Sequence, residues 1–354
     1  MAYSKLRSLL QYLLVGLAAP FIFQYSVYYR FTPNYMANVF SQPSFNTWYG
    51  QSIFKYRILG RWLVNSVYDK AVQMSVFQQV KLGTFYNARL TALDATADPL
   101  FYGCVCGVNT FFALCTSVLF IWLLNSRYVV PLGKGIQNLL VLSLSMLIAI
   151  TQFVFTPYDV LAFFLLLLAA VAILMYVVKP RAWLMLVISC IIGVGVLNRE
   201  TPMLSLSFFL ALLWWKHGFR VAVFARHLAL PILAYAGVWL GLRMVLGAND
   251  DAVTANLQLF DNLYMPSFRN LTGLAFMCLV FYLLYQSAIS PSNRKLLNFY
   301  VLASLPYTIS IVMVGIMVEF RLWIPFIIGG LVLGLANTHL IHDTVINSEQ
   351  DELL

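Results

Sequence analysis

Runs of apolar residues about one membrane thickness long, separated by short polar connections, dominate the chain. They predict helices at 8–29, 100–124, 136–155, 159–178, 182–197, 203–215, 229–247, 271–289, 296–318 and 322–340. A bilayer core needs about 20 apolar residues per helix, and most of these runs meet that length. The pattern lacks the period-two alternation of a membrane barrel. The expected fold class is therefore all-α: a polytopic transmembrane bundle of about 10 spans over residues 1–342, followed by a polar tail at 343–354.

One connection breaks the rhythm. Residues 30–99 form a long loop between the first two spans, and loops of that length inside a compact protein usually carry function. Its opening, FTPNYMANVFSQPSFN, reads as irregular. From Gln51 to Leu82 the pattern turns helical. Ile53, Tyr56, Leu59, Leu63, Val67 and Val72 form an approximate apolar stripe, interrupted by Lys55, Arg57, Arg61 and Lys70. Such a segment suits an interfacial helix with one side in lipid. Arg57 and Arg61, four apart, share a face on which they could grip a lipid phosphate.

Composition fixes the solvent. The 354 residues are 61% hydrophobic and 10% charged, with mean hydropathy +0.81. A soluble domain carries about a quarter charged residues, so this chain has too little polar material to face water all round. The net charge of +9 suits residues flanking spans and facing anionic headgroups, and nucleic acid is not an expected partner. The five cysteines (Cys104, Cys106, Cys115, Cys190 and Cys278) sit in apolar runs with no C-x-x-C pair and read as small core residues. Lys5 and Arg7 resemble the start of a signal peptide. The apolar run from Leu9 to Tyr29 lacks a small-residue cleavage site, however, and reads as an uncleaved span.

Charge also sets the expected orientation. With the N-terminus inside, the N-terminal segment and the short inside connections hold eleven Lys or Arg. The short outside connections hold only Arg199, Arg243, Arg269 and Arg321. The positive-inside rule then places both termini in the cytoplasm. Of the thirteen acidic residues, Asp343, Glu349, Asp351 and Glu352 lie in the tail. The other nine (Asp69, Asp94, Asp98, Asp159, Glu200, Asp250, Asp251, Asp261 and Glu319) all fall on the outer face. Insertion does not require that separation, because acidic residues contribute little to topology.

Four outer clusters carry candidate chemistry. Asp94 and Asp98, four apart before the second span, share a face if helical. Thr156-Pro157-Tyr158-Asp159 forms a tight hairpin whose Asp either caps the following helix or acts in a site. Asn198-Arg199-Glu200-Thr201-Pro202 packs polar groups between two apolar helices, and Glu319-Phe320-Arg321 places a charge pair at a span edge. Local ion pairing and snorkelling are the structural alternatives for the last two. Ionisable groups beside spans often mark sites, which favours function. No metal site is expected; His339 and His342, with Asp343, lack further ligands nearby in sequence. Asn270-Leu271-Thr272 is a glycosylation sequon beside a span, and the terminal EQDELL fits a dileucine pattern. There is no phosphate-cradling glycine loop, G-x-S-x-G or H-E-x-x-H in the sequence.

This layout resembles the GT-C class of membrane glycosyltransferases, which use polyprenol-phosphate or polyprenol-diphosphate sugar donors. The similarity rests on the 30–99 loop with Tyr56-Arg57-Ile58-Leu59-Gly60-Arg61-Trp62-Leu63, on Pro157-Tyr158-Asp159, on Asn198-Arg199-Glu200-Thr201 and on Glu319-Phe320-Arg321. The resemblance implies Arg57, Arg61, Arg199 and Arg321 for the donor phosphate, and Asp94 or Asp98, then Asp159 or Glu200, as the base. Tyr158, Asn198, Glu319 and Arg269 would support them. It also implies a lipid-linked sugar donor and a glycan or lipid acceptor, no certain cofactor, and a place in the bacterial inner (plasma) membrane with the active site outside. The chain departs from the pattern in having no acidic residue between Arg30 and Asp69, where many members carry one. An O-antigen-type polymerase or ligase shares the same features. A lipid-linked sugar flippase would instead need mid-membrane charges, which the sequence does not provide.

Overall fold

A computed structural model describes residues 6, 8–30, 41–51, 53–74, 98–152, 156–247, 259–263, 268–315 and 319–342. Among these the protein is all-helical, with a single isolated antiparallel bridge between Val129 and Ala336. Among the described residues six helices are long and apolar enough to cross a membrane: Ser8–Tyr29 (α1), Pro99–Leu124 (α4), Lys134–Thr151 (α5), Asp159–Val178 (α6), Val221–Leu246 (α9) and Asn270–Ser287, the last within Phe268–Ser287 (α11). Pro291–Ala303 (α12) and Leu305–Val314 (α13) form a seventh candidate, bent by 48°. Ala182–Asn198 (α7) and Phe320–Leu335 (α14) are apolar but shorter, and Pro202–His217 (α8) completes the series. Each of the ten expected span positions therefore carries helix, and six meet the length and hydropathy of a full crossing by themselves. Backbone groups in lipid must pair within their own segment, which is why the apolar runs take this form.

The chain divides into two compact units. The first holds residues 1–121, 133–164 and 197–199. Within it α1 and α5 run parallel, tied at one end by Gln11 Nε2 to Asn138 Oδ1 (2.8 Å) and at the other by Tyr28 Oη to Gln152 Oε1 (3.0 Å). Residues 11 to 28 span roughly 25 Å of helix at ~1.5 Å per residue, close to a bilayer core. The lower part of α1, Gln11–Ala18, is π-helical.

At the Tyr28 end an aromatic core forms from Tyr28, Phe45, Tyr49, Phe101, Tyr102 and Tyr158 with Val64, Val105 and Val108. It seats the helices of the first long loop: Gln42–Gln51 (α2), a 3-10 turn at Ile53–Tyr56, and Ile58–Gln73 (α3). The irregular reading of this stretch is thus corrected from Gln42 onward. Pro43 lies in the first turn of α2, where a missing N–H costs nothing, and Phe45 N bonds Ser41 O at 2.9 Å. Helix continues to Gln73, and the rest of the expected 51–82 segment lies outside the described residues.

Part of the expected apolar stripe faces outward. α3 buries Gly60, Val64 and Ala71, whereas Val67 and Val72 are about 40% exposed and Trp62 is 62% exposed. Small residues allow close packing on one side and leave larger apolar groups outward, the disposition of a helix whose other side meets lipid.

The second unit holds residues 122–132, 165–196 and 200–354. Its helix ends follow sequence signals. α8 starts on Pro202 and stops at Gly218, whose φ of +68° suits glycine. α12 starts with Ser290 accepting from Asn293 N (3.2 Å) and Pro291 in the first turn. The continuous helix expected at 296–318 breaks at Ser304, just before Leu305-Pro306. Proline removes a ladder hydrogen bond and clashes with the preceding turn. The end of α14 is closed by neighbours: Asn293 Nδ2 donates to Leu333 O (2.8 Å) and Ala336 O (2.9 Å), while Val130 N donates to Leu335 O (2.9 Å). Those carbonyls would otherwise lack partners at a helix terminus.

Candidate functional site

The first unit brings five of the sequence-selected residues together: Arg57, Tyr158, Asp159, Asn198 and Arg199. The hairpin at 156–159 is the hub. Asn109 Nδ2, from α4, donates to Thr156 O at 2.8 Å, and Asn198 Nδ2, from the end of α7, donates to Tyr158 O at 2.8 Å. Two amides on separate helices thus hold one turn of backbone. Asp159 opens α6, where the helix dipole favours a carboxylate. Its Oδ2 accepts from Thr156 Oγ1 (2.8 Å), and its Oδ1 takes the Arg199 guanidinium.

This ion pair is buried. Asp159 is 0% and Arg199 5% exposed. Burial of a charge is tolerated only with a partner and further hydrogen bonds, so removing either member leaves an uncompensated ion. Local pairing of Arg199 with Glu200 is not what anchors the guanidinium; its carboxylate lies 40 positions earlier in the chain. Asp159 thus serves the hairpin with one oxygen and the arginine with the other.

The Tyr158 ring is a platform for two cations. The Arg57 guanidinium lies 4.3 Å from its centroid and that of Arg199 5.9 Å, while Phe54 and Tyr49 pack at 5.8 and 6.0 Å. Arg57 also lies 4.7 Å from the Phe54 ring. Such contacts orient a guanidinium by the negative face of the ring. Arg57 occupies the position just before α3, and Gly60 in its first turn makes the approach possible. A Cβ at Gly60 would meet Pro157 O at 2.8 Å and Asn198 Oδ1 at 3.2 Å. Tyr158 Oη and Asn198 Oδ1 are buried with no hydrogen-bond partner among the described residues.

The other expected residues do not join this group. Asp98 caps α4: its Oδ1 accepts from Leu100 N (2.8 Å) and Phe101 N (3.2 Å), and its Oδ2 accepts from Tyr68 Oη. The shared helical face proposed for Asp94 and Asp98 is corrected at Asp98, which precedes the helix as its cap; Asp94 lies outside the described residues. Burial, reinforced by the Asp98 bond, pushes the Tyr68 hydroxyl well above its ordinary pKa. Arg61 is half-buried on α3. In the second unit, Arg321 Nε and Nη2 both bond Glu319 Oε2, at 3.1 and 3.0 Å, the local pair that the sequence allowed. Glu200 is half-buried in the second unit, and the side chain of Arg269 is outside the described part. No group of three potential metal ligands occurs among the described residues.

Sequence reasoning missed a buried polar cluster beside the hairpin. Tyr28, Asn109 and Gln152 are buried and converge on Gln152 Oε1, with Tyr28 Oη at 3.0 Å and Asn109 Nδ2 at 3.2 Å. Their signal was present as amides inside apolar runs, where unsatisfied polar groups are costly. No known protein family, curated protein or solved structure matches this chain.

Proposed function

We propose that the protein is a membrane glycosyltransferase of GT-C type that moves a sugar from a polyprenol-phosphate donor to a glycan or lipid acceptor. The observation that carries this reading is the convergence of Arg57 and Arg199 on Tyr158 beside Asp159, where the first long loop meets helix ends. Arginine matches phosphate oxygens through paired, planar donors, so two oriented guanidinium groups suit a departing lipid phosphate. Asp159 then positions Arg199, and the Tyr158 ring positions both cations. Arg61, on α3 of the same unit, supplies a further positive group in this reading. Exposed apolar helix surfaces suit the polyprenol tail.

The acceptor hydroxyl also needs a base. Asp98 and Asp159 already have both oxygens engaged by protein donors. Among the outer carboxylates of the sequence reading, Asp94 is then the first to test as the base. In this reading the chain crosses the bacterial inner membrane about ten times, with both termini cytoplasmic and the site outside. The polyprenol-phosphate sugar and the acceptor are its partners.

The deciding experiment supplies radiolabelled polyprenol-phosphate sugars to membranes containing the protein and analyses the products. Arg57→Ala should lower transfer about a hundredfold, the loss typical of one donor to developing charge. Arg57→Lys should restore only part of it. Full transfer by Arg57→Ala, at normal protein level, would sink the assignment. A product longer than one sugar would instead indicate a polymerase.

A further inference from the structure

A second polar cluster lies in the first unit, at the end of α1 and α5 opposite Tyr158. Here a cavity of about 170 Å³ is lined by Leu10, Gln11, Leu14, Val15, Lys134 and Asn138. At ~30 Å³ per water it has the volume of about six waters, enough for a phosphate group. Its α1 wall is apolar apart from Gln11, and its α5 wall is polar. Lys134 Nζ donates to Gln11 Oε1 at 3.3 Å and to Gln137 Oε1 at 3.0 Å, both neutral amide oxygens. Gln11 Nε2 donates in turn to Asn138 Oδ1. Gln11 and Gln137 are only 6% and 4% exposed, so the amides that set the ammonium are themselves fixed by burial.

Three features give this pocket a direction. The segments that build it, residues 1–30 and 99–152, contain no Asp or Glu, while Lys5 and Arg7 precede it in the chain. Leu10, Leu13 and Leu14 beside it are 44–58% exposed, which provides an outward apolar track along α1. The helix here is π-helical over Gln11–Ala18, a departure that often accompanies functional sites. A positive, polar recess joined to an apolar track at a membrane edge matches an amphiphile with an anionic head.

We propose that this cavity binds the phosphate of an anionic phospholipid, from the leaflet opposite the Tyr158 site, with Lys134 as its cationic contact and an acyl chain along Leu10 and Leu14. The proposal is independent of glycosyl transfer.

The test places the full-length protein in nanodiscs of phosphatidylcholine alone or with phosphatidylglycerol, and measures retained phosphatidylglycerol by native mass spectrometry. Wild type should retain it preferentially. Lys134→Gln should reduce that preference about fivefold, the effect of one cation facing an anionic headgroup, whereas Lys134→Arg should keep it. Leu14→Trp, which fills the cavity without changing charge, should reduce it too and decides the matter if Lys134→Gln does not fold. Lys179→Gln, at an exposed position elsewhere, should leave it intact. Unchanged preference in Leu14→Trp, or equal loss in Lys179→Gln, would overturn the site. Competition by millimolar inorganic phosphate as effective as by the lipid would overturn the lipid assignment.

Discussion

At the scale of single residues, the site depends on side chains whose value lies in what they hold. Asp159→Asn should destabilise the protein by about 3–5 kcal/mol, because Arg199 would remain buried without its counter-ion. Thermal unfolding in detergent measures this, and a double variant Asp159→Asn/Arg199→Gln should recover part of the loss. Gly60→Ala should cost about 1–3 kcal/mol, since its Cβ would lie 2.8 Å from Pro157 O and neither backbone can give way easily. Tyr68 supplies a pH signature. Its folded pKa is raised by burial and the Asp98 bond, so the unfolded chain loses this proton first on the alkaline side. Its contribution is therefore complete below the ordinary tyrosine pKa near 10 and declines as pH rises beyond it. The unfolding midpoint of wild type should fall more steeply above pH 10 than that of Tyr68→Phe. Parallel curves would show that the hydroxyl is not held as described.

At the scale of elements, helix ends explain more than helix interiors. The sequence marks most starts: Pro99 after Asp98, Pro202 after Thr201, Pro291 after Ser290. Each combines a preset φ with a residue suited to a cap. The ends that matter for packing are closed from elsewhere. Asn293 bonds two carbonyls about forty residues away, and Asn293→Leu should remove about 2–3 kcal/mol by leaving both unsatisfied in a buried place. A midpoint unchanged in that variant would mean that water reaches the end of α14. Similarly, α2 and α3 gain their order from the aromatic core that α1 and α4 present. Their own pattern is weakly amphipathic, which is why the sequence placed an irregular stretch where α2 begins.

At the scale of the whole molecule, the segregation of acidic residues makes a topological prediction. In a cysteine-free background, Thr47→Cys should react with an impermeant maleimide in intact cells, and Gly135→Cys only after the membrane is opened. The reverse pattern would invert the orientation and with it the proposed outer site. Hydrophobic run length alone determined that the chain folds as membrane-length helices, because lipid leaves the backbone no other local solution. Spacing likewise located the polar hairpins, whereas the break at Ser304 emerged only in the folded chain. Which carboxylate meets which arginine was not legible, since Asp159 and Arg199 are separated by a whole apolar hairpin and pair only when α6 and α7 return to the same edge. The same holds for Arg57 and Tyr158, which come from the first long loop and the hairpin at 156–159, whereas the contact of Arg57 with Phe54 is local. Local composition specifies each element, whereas burial and desolvation act on groups brought together across the chain, and only the tertiary structure decides those pairings.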